Sequence, residues 1–206
     1  MKKWLFAVLC LAAGLFIFHA PAHAQGQSVH IVKSGDTLWK ISKWFQIGLS
    51  EIINANPQFE NPDLIYPGDK VYVPRKQQIK EIEREVIKLT NKKRAENGLG
   101  PLKADWQLSR VARYKSNDMK NNGYFSHQSP TYGSPFEMMR DFNIHYSSAG
   151  ENIAMGQSSA QAVVNAWMKS PGHRKNMLSS NYTYIGVGYA KGGSGRYYWT
   201  QMFIRK

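Results

Sequence analysis

Apolar positions recur with two periods along this chain, and their alternation sorts it into a small first block and a larger second one. Ser28-Val29-His30-Ile31-Val32 is β-prone and reads as a strand. Ser34-Gly35-Asp36 supplies a turn with a helix cap at Asp36 or Thr37, after which Leu38, Ile41 and Phe45 follow helical spacing with Trp39 beside them. Leu49, Ile52 and Ile53 mark a second short helix, closed by Asn54-Ala55-Asn56-Pro57 because the residue before proline resists the helical region. Tyr66-Pro67-Gly68-Asp69 is a turn, and Lys70-Val71-Tyr72-Val73-Pro74 is the returning strand.

The second block opens on Ile79, Ile82, Val86 and Leu89, an amphipathic stripe of roughly five to six turns with Gly98 as its stop. Asp105 reads as the N-cap of another helix, which turns Leu108, Val111, Ala112 and Met119 toward a core and ends at Gly123. Ser134-Pro135 starts a short third helix, and a loop carrying Gly150-Glu151-Asn152 lies between Tyr146 and Gly156. Ser158 with Gln161 forms a capping box ahead of Ala160, Val163, Val164 and Trp167. Tyr184 to Ala190 and Arg196 to Ile204 are two strands around the glycine-rich turn Lys191 to Gly195. The class is therefore α/β: a small βααβ module, then a helix-sheet-helix sandwich.

The first residues bear on compartment. Met1-Lys2-Lys3 is basic, Trp4 to Phe18 is apolar, and Ala22-His23-Ala24 has the small-x-small form of a signal-peptidase site, so residues 1–24 read as a signal peptide cleaved after Ala24. The apolar stretch, about 15 residues, falls short of the roughly 20 needed to cross a bilayer as a helix. The only cysteine, Cys10, lies inside it, so the mature chain has neither a cysteine nucleophile nor a disulfide. The expected division is 25–75 for the small module, 76–78 for a polar joint and 79–206 for the larger domain.

Net charge is +13, unevenly spread. Residues 25–75 hold five basic and five acidic side chains, whereas 20 basic and 9 acidic residues follow from Lys76 onward. Such a surface suits an anionic wall polymer or anionic lipid; nucleic acid is not expected, since an exported chain seldom meets it.

Gly35-Asp36-Thr37-Leu38-Trp39, Asn54-x-Asn56-Pro57 and Leu64-Ile65-Tyr66-Pro67-Gly68-Asp69-x-Val71 occur in order across some 45 residues, and together they closely resemble a LysM module. The resemblance implies binding of peptidoglycan or another N-acetylglucosamine glycan, in a groove between the loop after the first strand and the loop before the second. On this chain the groove residues would be Gly35, Asp36, Thr37, Leu64 and Ile65. Trp39, Ile41 and Ile53 are expected in the module's core.

Phe125-Ser126-His127, Gly150-Glu151-Asn152-Ile153-Ala154, Trp167-Met168-Lys169-Ser170-Pro171-Gly172-His173-Arg174 and the ending Tyr198-Trp199-Thr200-Gln201-x-Phe203 resemble the CAP superfamily, or SCP-like extracellular domains. The resemblance implies an α-β-α sandwich and a cleft joining His127, Glu151 and His173; the family's fourth position, often glutamate, is Ser170 here. Two imidazoles and a carboxylate could hold a divalent metal such as Zn²⁺ with a place left for water. The same residues also suit purely structural roles, with Glu151 holding its loop, His173 beneath Trp167 and His127 closing the preceding helix. No catalytic residue is assigned. Glu137 with Glu151 makes a weak glycosidase pair, and no Gly-x-Ser-x-Gly elbow exists for a serine hydrolase. CAP proteins are also associated with small lipids, but Met138, Met139, Phe142 and Ile144 read better as core than as a lipid cavity. The sequence therefore points to a secreted protein of the cell wall or spore envelope, whose cleft faces a ligand, metal or envelope partner; the alternative is a wall-tethered metal-dependent hydrolase.

Overall fold

The computed structural model describes residues 27–74 and 77–206. The signal-peptide reading of residues 1–24, Cys10 and Lys76 of the joint lie outside them. Among the described residues no helix is long and apolar enough to cross a membrane.

The first block folds as β1 (Gln27–Ile31), α1 (Leu38–Trp44), α2 (Leu49–Asn54) and β2 (Lys70–Pro74), with β1 and β2 antiparallel. Thr37 caps α1, its hydroxyl accepting from the Lys40 N–H, while Asp36 holds the preceding turn by accepting from the Lys33 N–H. Val32, Leu38, Ile41, Ile47, Ile52, Val71 and Val73 form the core. Asn56 is buried and ties α2 to β2: it donates to the carbonyls of Ile52 and Tyr72 and accepts from the Tyr72 N–H, each at 2.7 Å. That closure explains an asparagine just before Pro57. Ile41 packs as expected, but Trp39 does not: it is 54 % exposed, with the Lys43 ammonium 4.2 Å from its ring centroid.

The larger block runs α3 (Gln77–Ala95), β3 (Lys103–Ala104), α4 (Trp106–Asn122), α5 (Pro135–Asp141), β4 (Ser148–Met155), α6 (Ala160–Lys169), α7 (Pro171–Met177), β5 (Tyr184–Lys191) and β6 (Tyr197–Arg205). Gln77 and Gln78, read as part of the joint, already belong to α3. Lys80 of that helix donates to the Phe45 carbonyl of the small module at 2.7 Å.

The strands form one sheet in the order β3-β5-β6-β4, with β3 parallel to β5 and the other pairs antiparallel. Period-two alternation sends Ile185, Val187, Tyr189, Trp199 and Phe203 to one face, where α3 and α6 bring Val86, Val163, Val164 and Trp167. The opposite face carries Met202 and Ile204 against Leu108, Val111 and Ala112 of α4 and Met138 and Met139 of α5. A helix-sheet-helix sandwich results, and the methionine-rich stretch is its core rather than a lipid cavity. On β5 the α4 face is built of glycine, since a Cβ on Gly188 would come within 2.1 Å of the Ala112 backbone.

Two local readings change. The cap of α6 is Ser159, one residue later than expected, accepting from the Ala162 N–H. Gly150-Glu151-Asn152 is not a loop but the middle of β4, paired in register with Gln201 to Phe203 of β6. Its glycine and asparagine are poor strand formers, and pairing to a strand fifty residues away overrides that preference.

Candidate functional site

Because β4 is an edge strand, successive side chains of its middle reach both layers and its free edge opens on a cleft. Glu151 points to the α4 side and Asn152 to the α7 side. From the α4 side the segment after that helix brings His127, whose Nδ1 lies 2.7 Å from Glu151 Oε1. On the other side Asn152 donates to the His173 carbonyl and to Gln201 Oε1, both at 3.1 Å. Asn176 of α7 donates to the Glu151 carbonyl at 3.2 Å and to Asn152 Oδ1 at 2.9 Å. Gln201 continues the chain to Thr90 of α3 at 2.9 Å. The edge carbonyls of Ala149, Glu151 and Ile153 thus each meet a side chain, those of Tyr182, Asn176 and Trp167.

His127, Glu151 and His173 line one cleft of about 790 Å³, with Phe125, Phe136, Asn176 and Tyr182 among its walls. Glu151 is buried, and among the described residues its Oε2 has no hydrogen-bond partner. Burial pushes the Glu151 carboxyl above its usual range, against the hydrogen bond from His127 and the charges of Lys115 and His127. Burial, with the charge of His127, lowers His173 and favours its neutral form.

Nδ1 of His127 is taken by the Glu151 carboxylate, so that ring could meet an ion only through Nε2. Among the described residues no group of three or more His, Cys, Asp or Glu is disposed to hold a metal. As arranged, His127 and Glu151 form a hydrogen-bonded pair, with the His173 imidazole in the same cleft. Ser170 sits at the junction of α6 and α7 as their shared cap residue. Glu137 closes a capping box, its Oε2 accepting from the Ser134 N–H at 2.7 Å, which commits it to α5.

Sequence reasoning missed the group that holds His127. Asp118 accepts from Asn122 at 2.7 Å, Tyr124 at 2.5 Å, Ser129 at 2.7 Å and Thr131 at 2.6 Å. Fully buried Lys115 donates to the His127 carbonyl at 2.8 Å and to the Tyr124 hydroxyl at 3.2 Å. Burial raises the Asp118 carboxyl, but the hydrogen bonds from Thr131, Tyr124 and Ser129 and the charge of Lys115 outweigh it and leave it low. An ionised Asp118 therefore gathers residues 122–131, and Lys115 fixes the backbone at His127. The signal was available as two charged residues on the apolar side of an amphipathic helix.

In the small module the loop after β1 and the loop before β2 leave the same end of the sheet, where Val32 N–H donates to the Asp69 carbonyl and Gly68 N–H to the Val32 carbonyl, each at 2.9 Å. Gly35 and Thr37 are exposed on the first loop. Asp36 is held by His30 at 2.9 Å and by the Lys33 N–H, which keep its carboxyl below the usual value. On the second loop Leu64 and Tyr66 stand exposed, while Ile65 packs partly against the core.

Comparison with known proteins agrees with this architecture. Residues 87–203 match the cysteine-rich secretory protein family (CAP), and residues 30–74 match the LysM domain. The uncharacterized protein YkwD of Bacillus subtilis is 58 % identical over 124 residues, 60 % of this chain and 47 % of that protein. The spore coat assembly protein ExsA of Bacillus cereus is 50 % identical over 48 residues, 23 % of this chain and 8 % of that protein. Among solved structures, an extracellular protein containing an SCP domain from Bacillus anthracis is 38 % identical, with a TM-score of 0.56 over 68 % of this chain and 47 % of that one. The chain thus spans less than half the length of each of these relatives. With the match covering more than half of its residues, the chain belongs to the CAP family, and a LysM domain precedes the family's sandwich.

Proposed function

We propose that this chain is an exported protein of the cell wall or spore envelope, held to peptidoglycan or another N-acetylglucosamine glycan by its LysM domain, and that the CAP cleft binds a ligand without catalysing a reaction. The observation that carries the first half is the pair of loops at one end of β1 and β2, with Gly35 and Thr37 exposed on one and Leu64 on the other. Backbone donors beside apolar walls suit an acetamido sugar, whose methyl and amide can be met together. Asp36 acts within this site by holding the first loop through His30 and Lys33. The excess of basic residues beyond Lys76 adds a long-range, salt-sensitive attraction to anionic wall polymers. Relatives described as extracellular and as a spore coat assembly protein support the compartment.

For the second half, the support is a buried carboxylate oxygen that lines the cleft and has no partner among the described residues. A hydrolytic metal centre lacks comparable support: among the described residues no group of three or more His, Cys, Asp or Glu is disposed to hold a metal.

Cosedimentation with purified, acid-washed sacculi tests the tether. The full chain should pellet with sacculi at moderate salt, and Leu64→Ser, which alters an exposed side chain, should weaken retention by roughly fivefold. Retention that survives both Leu64→Ser and removal of residues 25–75 would show that the tether lies elsewhere.

A further inference from the structure

The chemistry of the cleft narrows what its ligand can be. Phe125 and Phe136 stand at the cleft 47 % and 42 % exposed, uncommon for phenylalanine, and offer apolar ring faces to an incoming molecule. Glu151 Oε2 is buried there with no donor among the described residues. A ligand completing the site must therefore bring an O–H or N–H to that oxygen and an apolar face to the rings. Among the described lining residues there is no Lys or Arg, so a phosphate- or carboxylate-rich polymer finds no lysine or arginine to pair with. Ser126, Gln128 and Ser134 supply neutral hydrogen-bonding groups around the same opening. A pyranose of an N-acetylated glycan has this combination: one face of C–H groups, and hydroxyl and acetamide donors at its edge.

Resting on the reading above that the cleft binds a ligand, we propose that it is a second subsite for the class of glycan gripped by the LysM domain, so that one strand long enough to reach both is held at two points. Linking two weak sites on one polymer makes the second binding event intramolecular and raises retention without tight binding at either.

The test is a site-resolved NMR titration of the full chain with the N-acetylglucosamine tetramer, then with peptide-free glycan strands prepared from sacculi. The tetramer should move two sets of amide signals, one at Gly35, Thr37 and Leu64 and one at Phe125, Glu151 and Ile153. Phe136→Ala, on an exposed side chain, should weaken the second set by about fivefold and leave the first unchanged. Glu151→Gln, which replaces the carboxyl by an amide of the same shape, should also weaken the second set only. Long strands should bind the unaltered chain more tightly than the tetramer does and lose that advantage in either variant. Cleft signals that stay still with both glycans at millimolar concentration, or a folded Phe136→Ala chain with unchanged cleft affinity, would overturn the proposal. Movement of the cleft signals by free stem peptide but not by glycan would also overturn it, yet leave ligand binding at the cleft standing; silence toward every probe would sink both.

Discussion

Arg113→Ala should destabilise the CAP sandwich more than any change on its surface, by about 3–5 kcal/mol, because it leaves a buried carboxylate without its guanidinium. The Arg113 and Glu83 side chains are both buried, and the guanidinium donates through Nε and Nη2 at 2.8 and 2.6 Å. Glu83 also accepts from the Tyr189 N–H at 3.2 Å, so the pair joins α3, α4 and β5 in one knot. A domain of this size is stable by about 5–15 kcal/mol, so the loss would take a large share of the margin. Replacing both partners together by methionine should cost much less than Arg113→Ala alone, since no ion is then stranded. Urea unfolding of the three chains checks this. Equal losses in the single and double variants would mean that packing, and not the stranded charge, sets the effect.

Asp118→Ala should have the second largest effect, roughly 3 kcal/mol, and should act on the cleft as well as on stability. Three hydroxyls and an amide lose their common acceptor, and the segment carrying His127 loses the anchor that gathers it. Amide exchange across residues 122–131 should accelerate, while the β5–β6 ladder stays protected until global unfolding. The sign of the pH dependence follows from the lowered carboxyl. The folded carboxyl titrates below the ordinary aspartate range, so Asp118 contributes stability that is present above that range and is lost as pH falls through the folded value. Asp118→Asn should therefore flatten the acid limb of the stability curve. An unchanged limb, with unaltered exchange at His127, would leave Asp118 a bystander.

What could be read from residue order was mostly what is decided locally. The Asp105 cap and the Gly123 stop of α4 stand where the sequence puts them, with Asp105 accepting from the Leu108 N–H and Gly123 in the left-handed region at φ 66°. The Ser134–Glu137 box of α5 is equally local. The same locality blurs the cap of α6, because Ser158 and Ser159 are adjacent and either hydroxyl suits the role.

Features fixed by distant partners were harder to read. Gly150-Glu151-Asn152 carries no strand pattern, and only pairing with β6 makes it one. Helix α7 has seven residues, too few to show a period, although Pro171 at its first turn was a usable cue. Trp39 looks like core by type, yet the short helix α1 turns it outward. Lys115 and Asp118 sit on the buried side of α4, where charged residues of an amphipathic helix seldom lie, and only the fold shows what they hold. His127, Glu151 and His173 do share a cleft, but as a hydrogen-bonded pair with a neighbouring imidazole, an arrangement that spacing alone does not disclose.

A crystal structure of the full chain with the N-acetylglucosamine tetramer tests the central claim most directly. Sugar should lie between the Gly35–Thr37 turn and the Leu64–Ile65 segment, with its acetamido group against the backbone there. Sugar bound elsewhere on the chain, with both of those loops bare at saturating concentration, would contradict it.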